Sequence, residues 1–185
     1  MARKREEASA GRLRHGKVIP RVVHFALYIV FLAMTPQVQK LFPRWDSRWF
    51  YALQIGAVMG ALAVFFRSYT ELFAVAAVRA RDWMLAAGIG IAVFITWINL
   101  DLPWATRGAA QGFVPMRADG TLDWALVTVR IFGATAVVPV MKEIFWRSFI
   151  LRWIDRSAFL QLLPAMVSVR ALVISSLLFG VEHDL

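Results

Sequence analysis

The chain has 185 residues, of which 59% are apolar and 18% are charged, and it contains no cysteine. Soluble domains average about 45–50% apolar and about 25% charged residues, so this composition excludes a disordered chain, a disulfide-stapled secreted domain and a thiol-ligated metal site. Because a chain of this length cannot bury so much apolar surface in one core, we predict an all-α, polytopic helical membrane protein in a lipid bilayer.

Basic residues cluster at the start of the chain, which has 21 Lys and Arg against 12 Asp and Glu. Basic arms can bind nucleic acid, but an apolar block begins at Val22, which favours a cytoplasmic tail that follows the positive-inside rule. We therefore interpret residues 1–21 as a basic cytoplasmic tail and expect no nucleic-acid partner. The basic residues of this segment are Arg3, Lys4, Arg5, Arg12, Arg14, Lys17 and Arg21.

The rest of the chain, residues 22–185, reads as a single helical membrane domain. A membrane span needs about 20 apolar residues, with about 17–25 tolerated, and five apolar blocks approach this length. We therefore predict about five transmembrane helices and an N-terminus in the cytoplasm. In chain order the blocks are residues 22–36, 49–66, 83–100, 124 to beyond 140, and 169–181.

Residues 68–81 differ from the spans. Ser68 and Glu71 form a capping box, in which the two side chains satisfy free amides at the start of a helix. An apolar run then leads to Arg79 and Arg81, so we interpret this segment as one amphipathic helix at the membrane interface. The alternative, in which the second span extends through it, stays open.

Residues 138–154 read VPVMKEIFWRSFILRWI, and Lys142, Glu143 and Arg147 interrupt the otherwise apolar helix ahead of Arg152 near its end. Charged residues within a span are costly and indicate function by default. A helix that restarts at Pro139 places Glu143 and Arg147 four residues apart on one face, in the favourable order for an ion pair. A structural ion pair with a Lys142 side chain that snorkels to the boundary explains the same residues, so both interpretations remain.

The last residues, LLFGVEHDL at 177–185, place Phe179 and His183 four positions apart. A lone histidine at a helix end is more often structural than catalytic. The chain has 3 histidines and no cysteine, and it contains no His-Glu-x-x-His motif. We therefore expect no metal site and no cofactor.

The runs KEIFWR at 142–147 and FGVEH at 179–183 resemble two motifs of the CAAX protease and bacteriocin-processing family. Those motifs are Glu-Glu-x-x-x-Arg and Phe-x-x-x-His, on successive membrane helices. The run VPVMKEIFWRSF is most similar to the CAAX prenyl protease-related proteins that accompany exosortase systems in bacteria. The resemblance covers the protease-like motif region, residues 138–185.

The resemblance implies an intramembrane endopeptidase of the bacterial inner membrane, with a membrane-associated peptide or protein as substrate and exosortase-system proteins as partners. It implies Glu143, Arg147 and His183 as catalytic residues, and Trp146 and Phe179 as substrate-binding residues. In the family a Glu and a His activate water. A carboxylate desolvated among apolar helices has a raised pKa and can act as a general base near neutral pH.

Two departures from the family pattern bear on activity. Lys142 occupies the position of the first motif Glu, and an ammonium does not accept a proton. The third motif, His-x-x-x-Asn or Asp, has no counterpart before Leu185, so we expect a truncated and impaired member. Losing a base costs about 10²–10⁴-fold and losing an oxyanion donor about 10²–10³-fold.

Two other classes of function compete with the peptidase. One is a non-catalytic membrane pseudoenzyme or a scaffold in a protein-sorting system, which would keep the helices and lose the chemistry. The other is transport, which is disfavoured because Arg130 and the motif charges are too few to line a pathway.

Overall fold

The computed structural model describes residues 2–70, 79–99, 113–163 and 166–182. Within these ranges helices dominate, and the β structure is an isolated antiparallel bridge between Met116 and Leu122. The all-α prediction is therefore confirmed. Contacts divide the chain into two units, of which the first contains the described residues of 2–70 and 115–182, and the second those of 79–114.

The helices follow the predicted apolar blocks. In the first unit, α1 covers Ala2–Leu41, α2 covers Phe50–Val64, α4 covers Trp124–Asp155 and α5 covers Val169–Glu182. In the second unit, α3 covers Ala80–Ile98. Short 3-10 turns at Ser47–Trp49 and Phe66–Ser68 flank α2, and a third at Phe159–Gln161 follows α4.

Helix α1 is longer than the first predicted span at both ends. The residues predicted as a basic tail form its first turns, and the helix continues through Pro36, where the span was predicted to end, to Leu41. A proline inside a helix removes one backbone hydrogen bond, a loss that apolar membrane helices tolerate when neighbouring groups satisfy the freed carbonyl. The predicted end at Pro36 is therefore wrong.

Two helical segments of the described chain are long and apolar enough to cross a membrane, Gly16–Leu41 and Trp124–Asp155. Comparable helices in a soluble protein lie in the core and are mostly buried. Here 17% and 22% of their apolar windows are buried, so most of their apolar surface faces away from the protein. This distribution fits a helical membrane protein, while the count of five spans stays a prediction.

The predicted interfacial helix falls largely outside the described residues. Residues 71–78, which include Glu71 of the capping box, are not among them, whereas Ser68 ends the 3-10 turn after α2. Because α2 ends at Val64 and a 3-10 turn follows it, the alternative in which the second span extends through this segment as one helix is wrong, while the interfacial helix stays a prediction.

Helix α4 runs from Trp124 to Asp155, and within it a regular α-helical stretch begins at Val138 with Pro139 in its first turn, as a helix that restarts at Pro139 requires. π-helical turns occupy Gly133–Val137 and Glu143–Ile150. Pro139 is the second residue after the first of these turns. Because a π turn bonds each amide to a carbonyl five residues back, it changes the local bonding pattern next to the missing amide without ending the helix.

Helices α2 and α4 approach closely at Gly133. A Cβ at this position would collide with the Tyr51 hydroxyl and lie 2.8 Å from Cγ1 of Ile55, so only glycine fits. Arg130, one turn earlier, lies with its guanidinium carbon 4.5 Å from the centre of the Tyr51 ring. The buried cluster beside this contact consists of Ile55, Val58, Val137 and Met141.

Two buried arginines share one serine of α4, and one of them, Arg21, joins α1 to α4. Arg21, which the sequence places in the tail, is 1% exposed and donates to the Ser68 carbonyl at 2.9 Å and to Oγ of Ser148 at 3.4 Å. Arg152 donates to the same Oγ at 2.7 Å, and the Phe159 ring lies near both guanidinium groups. Arg21 is therefore part of the helix packing that positions α4, because its guanidinium finds acceptors there.

Candidate active site between α4 and α5

The charged residues of α4 lie where a π-helical turn begins. Lys142 ends a regular helical stretch, and Glu143 begins the π turn Glu143–Ile150. Successive residues of a helix point about 100° apart. Lys142 and Glu143 are therefore directed to different partners, although they are neighbours in the chain.

Glu143 forms the ion pair that its spacing from Arg147 predicts. Oε2 of Glu143 lies 3.3 Å from Nε of Arg147, and the two side chains are 55% and 76% exposed. More than half of the Glu143 side chain therefore lies outside the protein's own packing, and the expectation of a carboxylate desolvated among apolar helices stays a prediction.

Lys142 forms an ion pair with Glu182 of α5. Its Nζ lies 3.1 Å from Oε1 of Glu182, and the side chains are 21% and 12% exposed. The same Nζ lies 5.2 Å from the centre of the Phe179 ring, within the range of a cation–π contact. The snorkelling interpretation of Lys142 is therefore wrong, since the ammonium turns toward a buried carboxylate that offsets the cost of desolvating it.

Sequence reasoning missed Glu182. It stands directly before His183 in the FGVEH run, and its presence as a lone acid in an apolar helix was the available signal. Its partner belongs to another helix, so the pair could not be assigned without the packing. Oε2 of Glu182 is buried and has no hydrogen-bond partner among the described residues.

Trp146 and Phe179 connect the two motif segments through their rings. The ring centres are 5.6 Å apart and the planes are at 90°, a T-shaped contact between α4 and α5. Nε1 of Trp146 is buried and finds no acceptor within the described ranges. The Phe25 ring of α1 also contacts Trp146, in a T-shaped arrangement at 6.1 Å.

A cavity of about 500 Å³ lies between α4 and α5. Its lining combines apolar surface with charged groups and hydroxyls, which is the composition of sites that bind amphipathic ligands. The apolar members include Val138, Pro139, Leu151, Leu172, Trp146 and Phe179, and the polar members are Lys142, Glu143, Arg147, Ser175 and Ser176.

The cavity unites five of the six residues that the sequence predicts for the site: Lys142, Glu143, Trp146, Arg147 and Phe179. The sixth, His183, lies outside the described residues. Within the described part of the chain, no three His, Asp or Glu side chains are grouped so that they could hold a metal ion.

Comparison with known proteins gives one family match. Residues 124–184 match the model of the Rce1-like family, described as type II CAAX prenyl endopeptidase Rce1-like. No curated protein and no solved structure matches the chain. The match covers α4 and α5, which line the cavity, and it supports a CAAX-type intramembrane protease at the family level.

Proposed function

We propose that this chain is a CAAX-type intramembrane endopeptidase that cleaves membrane-associated peptides in the cavity between α4 and α5. The observation that supports this most directly is that both motif segments line one cavity within the residues that match the family model. Ligand sites commonly have volumes of about 300–1,000 Å³. At about 500 Å³ this cavity has room for a short stretch of peptide.

The apolar lining is suited to a peptide that carries apolar side chains or a lipid. Trp146 and Phe179 are the proposed substrate-binding residues, because their rings meet at the junction of the two helices and both line the cavity. Large, rigid rings bury much apolar area and lose little side-chain entropy when a ligand binds.

Glu143 and His183 are the proposed groups that activate water. As the water oxygen attacks the scissile carbonyl carbon, the carboxylate of Glu143 takes the proton and the carbonyl π electrons move to the oxygen. The C–N bond then breaks, and the leaving nitrogen receives the proton. Arg147 orients the carboxylate through the contact between Nε and Oε2.

The proposed hydrolysis is slow, because Lys142 stands where the family pattern has its first Glu. Glu143 then serves as the base from a position about 100° round the helix, and a misplaced base forfeits part of the roughly 10²–10⁴-fold in rate that general-base catalysis contributes. The proposal includes a multi-pass location in the bacterial inner membrane with a cytoplasmic N-terminus, supported by the basic residues of 1–21. It also includes exosortase-system partners, supported by the run VPVMKEIFWRSF.

The second candidate is a non-catalytic pseudoenzyme or scaffold that binds the same peptides without cleaving them. The observation that favours it is the ion pair between Lys142 and Glu182, which places a paired ammonium at the position of the family's first carboxylate. In that case the cavity would still bind the peptide but would not hydrolyse it.

The test uses the full chain in liposomes with an internally quenched peptide that carries a farnesylated cysteine near its C-terminus. We expect slow cleavage that is abolished by Glu143→Gln and by His183→Ala. Asp119→Asn, at an exposed turn, is the matched control and should keep the rate. Cleavage that survives both active-site substitutions contradicts the proposed site, and binding without cleavage supports the scaffold.

A further inference from the structure

We propose that Lys142 is a catalytic group of this site in its own right. Its ammonium binds the carbonyl oxygen of the scissile peptide and stabilises the negative charge that develops there, and Glu182 positions it. This inference rests on the proposed peptidase function and assigns a role to the residue at which the chain departs from the family pattern.

Lys142 has access to the space where the peptide would lie. It lines the same cavity as Glu143, the neighbouring residue on α4. A carbonyl group in the cavity therefore has a carboxylate available to the attacking water and a cation available to its oxygen. These are the two complementary charges that a tetrahedral transition state requires.

The ammonium is held in place before any substrate arrives. Among the described residues its contacts are Oε1 of Glu182 at 3.1 Å and the Phe179 ring at 5.2 Å. A lysine ammonium has three donors, so one carboxylate oxygen does not exhaust them. A donor that is already oriented stabilises developing charge without reorganising, which is the main advantage of an oxyanion site over water.

A second donor accompanies the ammonium. Trp146 lies four residues after Lys142 on α4 and lines the same cavity, and its buried Nε1 has no acceptor within the described ranges. This N–H is buried in the chain without a ligand, so it can donate to a peptide oxygen only after the indole turns toward the cavity.

The role of Glu182 is to position Lys142 rather than to react. It is not among the residues that line the cavity, and its Oε1 contacts the ammonium. Without this carboxylate, the ammonium would leave the apolar contact of α4 and α5 for better solvated surroundings. Glu182 thus makes a cation stable next to the catalytic carboxylate.

The proposed step balances as an ordinary hydrolysis. A C–O bond forms between water and the carbonyl carbon, the water proton goes to Glu143, and the carbonyl oxygen becomes an anion. The ammonium of Lys142 donates a hydrogen bond to that anion and keeps its proton. When the carbonyl re-forms, the C–N bond breaks and the leaving nitrogen takes the proton from Glu143.

The test compares two ligands on the full chain in liposomes. One is the farnesylated peptide, and the other is the same peptide with a phosphinate in place of the scissile amide, which carries the charge of the tetrahedral intermediate. We expect the wild-type chain to bind the phosphinate at least about 10²-fold more tightly than the amide. The ratio of the two dissociation constants reports on charge stabilisation independently of turnover.

The decisive variant is the double substitution Lys142→Met with Glu182→Gln, which removes the ammonium without leaving a buried carboxylate unpaired. We expect it to lose most of the phosphinate preference and about 10²-fold in kcat, with little change in KM. Lys142→Arg keeps the charge and should retain much of the phosphinate preference and much of kcat. Lys40→Met, at the exposed end of α1, is the matched control and should behave as wild type.

Glu182→Gln alone tests the positioning role. It keeps the ammonium but removes the charge that holds it, so we expect kcat to fall by up to about 10²-fold with KM nearly unchanged. Glu182→Asp keeps the charge and should recover part of the loss. A purely structural role would instead change KM and kcat together with the amount of folded chain.

The outcomes separate this inference from the proposed function. Cleavage and phosphinate preference that persist in the double variant overturn the role of Lys142 and leave the peptidase intact. A chain that neither cleaves nor prefers the phosphinate overturns both. A preference that requires Lys142, in a chain that does not cleave, supports the oxyanion site and contradicts the peptidase activity.

Discussion

Two ion pairs begin on adjacent residues of α4 and have opposite surroundings. Glu143 pairs with Arg147 along the same helix, and both side chains are more than half exposed. Lys142 pairs with Glu182 of α5, and both side chains are mostly buried. The first pair needs only the helix, whereas the second needs α5 packed against α4. Of two neighbouring charged residues in one apolar helix, one can therefore lie at the exposed edge of a cavity while the other lies in a contact between two helices.

The energetics of the two pairs differ for the same reason. An ion pair four residues apart on one helix contributes about 0.3–0.5 kcal/mol when its side chains are not packed against the rest of the protein. A buried pair has to be desolvated when the chain folds. Removal of one partner leaves an unpaired buried charge, which lowers the free energy of unfolding by about 3–5 kcal/mol. Substitutions in the two pairs are thus expected to differ severalfold in their effect on stability.

The largest effect on the free energy of unfolding is expected at Lys142, because its substitution removes the buried ion pair. Lys142→Glu places a second carboxylate against Glu182, so the free energy of unfolding should fall by at least about 3 kcal/mol. The charge swap Lys142→Glu with Glu182→Lys restores opposite charges and should recover most of the loss. Denaturant titration in detergent micelles measures both, and Lys40→Glu is the control. Equal stability of the single variant and the swap would show that the two charges do not interact.

A third ion pair, outside the helices, gives an intermediate effect and a pH dependence. Asp46 accepts two hydrogen bonds from the Arg48 guanidinium, at 2.7 and 2.8 Å, which is the main reason that the pKa of Asp46 is lowered. Because the folded-state pKa is the lower one, the stabilisation is present above the unfolded pKa of about 3.9 and is lost as pH falls through the folded pKa. Asp46→Asn should cost up to about 1 kcal/mol at pH 7.

The measurement for Asp46 is the unfolding free energy of both chains across that acid range. The difference between wild type and Asp46→Asn should shrink as the pH falls and disappear below the folded-state pKa. A difference that stays constant with pH would mean that the charge of Asp46 does not stabilise the turn.

The smallest effect is expected at Arg147. Arg147→Met should change the unfolding free energy by only about 0.3–0.5 kcal/mol, because the pair with Glu143 is largely exposed. The same titration in micelles applies, with Lys142→Met measured alongside as the buried counterpart. A loss at Arg147 as large as that at Lys142 would remove the distinction between the two pairs.

Pairs within one helix were accessible from the sequence, whereas pairs between helices were not. The spacing of Glu143 and Arg147 predicts their contact, because a helix repeats every 3.6 residues. The apolar blocks predict each of the helices, because a helix long enough to cross a membrane needs a run of apolar residues that is visible in the sequence. The restart at Pro139 was accessible in the same way, since a regular α-helical stretch begins at Val138 with the proline in its first turn, directly after a π-helical turn.

The sequence by itself determined the all-α class, the apolar blocks that become helices and the two motif segments, since each depends on residues close together in the chain. Only the tertiary structure decided that Arg21 is buried against α4, that Lys142 turns to Glu182, and that Glu143 lies at an exposed edge. These arrangements follow from the free-energy cost of desolvating a charge. A charged side chain in an apolar helix needs an oppositely charged group or an acceptor nearby, and the packing of the helices determines which one is close enough.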